Sequence, residues 1–136
     1  MGDTLMPYGT LLTDSVQSST TNTPPQFNDG NGTQVGTLCR AWVNFNGVTT
    51  ATIRASFNVS SVTRNGTGDY TVNFTNAMPD ANYAYNASSS NYNGNLGVIT
   101  QLWNTSAPTT NSIRFGTFNN TPGAADGISV CIAIFR

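Results

Sequence analysis

Lysine, glutamate and histidine are absent from this 136-residue chain. Without histidine, one chain cannot build a Ser-His-Asp or Cys-His catalytic arrangement. Charged residues make up only 8% of the total, against about 25% in an ordinary globular domain. The positive charge is Arg40, Arg54, Arg64, Arg114 and Arg136, and the net charge is −1. No basic patch forms, which excludes nucleic-acid binding driven by counterion release. No window approaches the ~20 apolar residues of a membrane helix, so membrane insertion is not expected. Met1–Pro7 has neither the basic nor the apolar region of a secretory leader, and the expected place of synthesis is a cytoplasm.

Cysteine is scarce too. Cys39 and Cys131 each lie in an apolar stretch. A cytoplasmic origin favours two buried thiols, and a bridge from an early strand to the last one is the alternative. A metal site lacks histidine ligands, and no loop has EF-hand spacing. No cofactor is expected. The aspartates are single and dispersed, mostly beside Gly or Asn, so Asp29, Asp69, Asp80 and Asp126 read as turn residues.

What is present is neutral polarity in strand rhythm. In Cys39-Arg40-Ala41-Trp42-Val43-Asn44-Phe45 the apolar residues Cys39, Ala41, Val43 and Phe45 share one face. Asn46-Gly47 signals a turn, and Val48–Ile53 reads as a β-branched strand. Phe57–Ser60 alternates again. Arg64–Asp69 is the strongest hairpin loop, and Tyr70–Phe74 is a half-buried returning strand. Further strands are expected over 82–88, 98–103 and 112–118, with the flexible-looking Ser88–Gly97 between the first two. Ile128–Phe135 is a near-continuous apolar run, as suits a central strand covered on both faces. No stretch shows helical period with caps. The expected fold is all-β, a single antiparallel β-sandwich, jelly-roll-like, with an extended N-terminal segment. The expected division is a lead-in over 1–25 and the sandwich over 26–136, because Pro24-Pro25 ends a Ser/Thr-rich stretch.

The string Ala41–Gly47, Ile53–Ser61, Asn65–Phe74, Ala77–Tyr83 and Val130–Phe135 resembles a module of phage structural and tail-fibre proteins, especially those of cyanophages and other aquatic phages. The resemblance runs from about Gln17 onward. It implies a virion location, assembly as a homotrimer and an attachment role, and it brings no catalytic residues.

Leu5, Met6, Tyr8, Leu11 and Leu12 give the lead-in an apolar character without period, and exposed they would be a liability. They are the candidate docking residues, toward another copy or another virion protein. Tyr83, Tyr85, Tyr92 and Trp103, set among Asn/Ser loops, are the candidate contacts to a host-surface glycan or protein, since aromatics give contact area at low entropic cost. Trp42 reads as core or interface, with a saccharide platform as the alternative. The expected function is a trimeric tail-fibre or receptor-binding component, and no enzyme. A capsid decoration or head-fibre protein is the alternative, favoured by the modest length and the lack of a coiled-coil or repeat shaft.

Overall fold

A computed structural model describes residues 15–19, 25–91, 99–102, 106–119 and 123–136. The chain divides into two compact units, Met1–Gly36 and Thr37–Arg136. In the first, β1 (Phe27–Asn28) and β2 (Gln34–Gly36) form a small antiparallel hairpin. Asp29 shapes its turn: its Oδ1 accepts from the N–H groups of Asn31 and Thr33, both at 2.9 Å. The turn duty expected of Asp29 is met there.

The second unit is built from eight strands. They are β3 (Cys39–Asn46), β4 (Thr52–Phe57), β5 (Val59–Gly66), β6 (Asp69–Phe74), β7 (Ala84–Asn91), β8 (Ile99–Leu102), β9 (Ser112–Phe118) and β10 (Gly127–Phe135). They make two four-stranded antiparallel sheets, ordered β4-β3-β10-β7 and β5-β6-β9-β8. This is the expected all-β sandwich. Period-two alternation explains which residues meet in the middle. Ala41, Val43 and Phe45 of β3 and Val130, Ile132 and Ile134 of β10 are buried from one sheet. Tyr70, Val72 and Phe74 of β6 and Ile113 and Phe115 of β9 are buried from the other. Phe45 joins the two layers, meeting Tyr70 edge-on at 5.1 Å and Phe115 at 6.4 Å between ring centres. Such pairs add about 0.5–1.5 kcal/mol beyond their buried area.

Two connections depart from the sequence reading. Val48–Thr50 was expected to open a strand, yet β4 begins at Thr52. The chain turns tightly instead, with Thr49 at φ 63° and the Thr50 N–H donating to the Val48 carbonyl at 2.7 Å. Asn58, expected inside an alternating strand, is the corner where the chain leaves β4 for the other sheet. Its φ is 54°, a region that Asn enters more readily than most side chains. Its side chain fixes the corner. Nδ2 donates to the carbonyls of Arg40 (3.0 Å) and Asn76 (3.1 Å), and Oδ1 accepts from the Asn76 N–H (2.7 Å).

The β5–β6 hairpin is tight at Gly68, whose φ is 63° and whose added Cβ would lie 2.5 Å from the Thr117 carbonyl oxygen. Glycine alone satisfies both demands at once. Around this turn the charged residues pair. Arg64 binds Asp126 (2.7 Å) and Arg114 binds Asp69 (2.6 Å). Asp69 and Asp126 therefore hold part-buried ion pairs with more exposed arginines, beyond the turn duty expected of them. Asp80 keeps its turn role, accepting from the Asn82 N–H at 2.7 Å, and also meets Arg136 at 2.5 Å on the surface. Cys39 and Cys131 are free. Cys131 pairs across the sheet with Asn44 and Cys39 with Phe135, four residues further along β10. That separation, ~13 Å at strand rise, rules out a bridge in this fold.

Candidate functional site

β10 is central, between β3 and β7, as expected. Its expected cover on both faces is only half met. The inward side chains are fully buried, while the outward Cys131, Ala133 and Phe135 are half-buried. Register explains what surrounds them. Trp42, Ala133 and Asn86 lie side by side across β3, β10 and β7, and Asn44, Cys131 and Ser88 form the next row. These positions alternate with the core residues, so all of them face away from the other sheet.

The small Ala133 and Cys131 make a floor, and Trp42 and Phe135 stand beside it. The result is an open groove of about 450 Å3 on the outer face of the sheet, within the ~300–1,000 Å3 of ordinary ligand sites. Trp42 is 39% exposed. Phe57, its partner on β4, is 55% exposed and extends the apolar stripe to the sheet edge. Among the described residues, the groove's own lining carries no charge. Arg54 borders it but is engaged: Nη1 donates to Asn44 Oδ1 at 3.2 Å and Nη2 to the Ile128 carbonyl. The Asn44 amide donates in turn to Cys131 Sγ at 3.2 Å.

The titratable groups with shifted pKa lie elsewhere. Burial would raise the carboxyl of Asp126. Hydrogen bonds from Arg64, the Gly68 N–H and Tyr70, with the Arg64 charge, outweigh it and hold the group below the usual carboxylate range. Asp69 is lowered against its own burial by hydrogen bonds from Arg114 and Asn65 and by the Arg114 charge. Burial, then the Asp126 carboxylate, push the Tyr70 phenol strongly upward. Tyr83 is pushed up to about 12 by burial. Among the described residues no three His, Cys, Asp or Glu side chains converge as metal ligands would.

The sequence candidates fare unevenly. Tyr83 is a core residue, 7% exposed, packed edge-on against Phe74 at 5.9 Å. Its hydroxyl is shared between the carbonyls of Thr109 (3.1 Å) and Ser112 (3.0 Å). The expectation of a glycan contact at Tyr83 is therefore corrected, because only 7% of the residue is exposed. Tyr85 is half-buried and packs against the same core. Tyr92 and Trp103 lie outside the described residues, as do Leu5, Met6, Tyr8, Leu11 and Leu12. The exposed face of Trp42, weighed from the sequence mainly as core or interface, gathers the site instead. Its signal was the even position beside Arg40 and Asn44, on the polar side of β3. No protein-family model, no curated protein and no solved structure matches the chain.

Proposed function

We propose that this chain is a non-catalytic virion structural protein of a bacteriophage. In this reading it is a trimeric tail-fibre or receptor-binding component that presents its β-sandwich to the host surface. One observation carries the reading: the outer face of the β4-β3-β10-β7 sheet is an uncharged groove flanked by exposed aromatic side chains. Exposed apolar stripes of this kind mark contact surfaces. The low share of charged residues, 8% of the chain, supports it, because a weakly charged surface repels identical copies little. The phage-module resemblance supplies the virion setting. Other virion proteins are the partners expected for the N-terminal segment.

A capsid decoration or head-fibre role is the second reading. It is favoured by the absence of any helical shaft among the described residues. The test of a virion role is protein mass spectrometry of gradient-purified particles. The chain should appear in stoichiometric amount, in a copy number divisible by three. Its absence from particles that infect normally would refute the proposal.

A further inference from the structure

The groove over Trp42 holds more than apolar surface. Asn86 and Ser88 of β7 are exposed along its far side, and neither side chain bonds to another described residue. Trp42 stands two strands away, ~10 Å at ordinary strand spacing. One wall is therefore an aromatic face and the other a row of neutral hydrogen-bonding groups. Between them Ala133 and Cys131 leave depth.

We infer that this groove binds a neutral saccharide, with a sugar ring stacked on the Trp42 indole and its hydroxyls on Asn86 and Ser88. A sugar presents an apolar C–H face and a hydroxyl edge, which matches one apolar wall and one polar wall. Each hydroxyl both donates and accepts, and so do an amide and a serine hydroxyl. Apolar lining with a few placed polar groups is the usual make-up of a small-ligand site. The lack of charge in the lining selects against acidic sugars, since the nearby Arg54 is already bonded to Asn44 and the Ile128 carbonyl. A peptide segment would fill the apolar floor but would gain less from uncommitted Asn86 and Ser88.

This inference deepens the receptor-binding reading by naming the ligand class, and it can fail while a virion role stands. The test uses the full chain on an array of neutral oligosaccharides (glucans, galactans, mannans and N-acetylhexosamine oligomers) printed beside sialylated and uronic acid probes. The best ligand is then titrated calorimetrically. Saturable binding to at least one neutral probe is expected. Trp42→Ala should weaken it at least tenfold, as loss of a central aromatic anchor does, and Asn86→Ala severalfold, with unchanged melting temperatures. If Trp42→Ala fails to fold, Asn86→Ala, at an exposed position on an edge strand, decides the matter. Three results would overturn the inference: no neutral probe bound, affinity unchanged in the variants, or binding confined to sialylated or uronic acid probes. Presence of the chain in particles is read separately, by mass spectrometry.

Discussion

Asp126 joins three parts of the fold through one carboxylate. Its Oδ1 accepts from Gly68 N–H (2.8 Å), Tyr70 hydroxyl (2.9 Å) and Arg64 Nε (3.1 Å), and its Oδ2 accepts from Arg64 Nη2 (2.7 Å). Its depressed pKa is a statement about stability. The unfolded carboxyl titrates near 4, and the folded one lower. The stabilisation is therefore complete above about pH 4 and is lost as pH falls through the folded value. Asp69 acts in the same direction. The melting temperature should hold level at neutral pH and drop steeply below about pH 4. Asp126→Asn should cost roughly 1–3 kcal/mol at neutral pH and make the acid limb shallower. An identical acid limb in the variant would remove Asp126 from the account. At the alkaline end, stability should fall between about pH 10 and the raised Tyr83 value of about 12. There the phenol must ionise in a buried setting, so Tyr83→Phe should lessen that loss. None of these pairings was legible in sequence. Arg64 and Asp126 are 62 residues apart, and Arg114 and Asp69 are 45 apart. Only closure of the sandwich brings them together.

Among the elements, β10 carries the most weight. It pairs with both β3 and β7 and sends Val130, Ile132 and Ile134 into the core. Ile132→Ala should destabilise by ~2–5 kcal/mol in urea unfolding. Ile128→Ala, at a site 42% exposed, should cost under ~1 kcal/mol. Similar losses at both sites would mean that β10 is not a core strand. β3, β6 and β9 were legible because one apolar face alternates with polar residues, and the observed burial follows that alternation. Val48–Thr50 misled because β-branched composition reports fitness for a pleated surface and says nothing of the turn the chain must make first. β7 runs on to Asn91 through a serine-rich stretch that looked like loop. Pairing with β10 holds that backbone, and a run of serines leaves no apolar pattern to find. The groove was hidden for a related reason. Trp42, Ala133 and Asn86 become neighbours only through strand register.

For the whole molecule, the 8% share of charged residues frames the assembly claim. Sedimentation equilibrium at micromolar concentration should give three times the 14.4 kDa chain mass. A single 14.4 kDa species would count against the trimer while leaving the sandwich and its groove untouched. The central claim is that the chain is a virion component meeting the host through its β-sandwich. The most direct measurement is immunogold labelling of intact particles with antibody against the sandwich. The account predicts gold at the tail. Gold over the head would move the chain to the decoration reading, and particles that carry no gold at all would contradict a virion role.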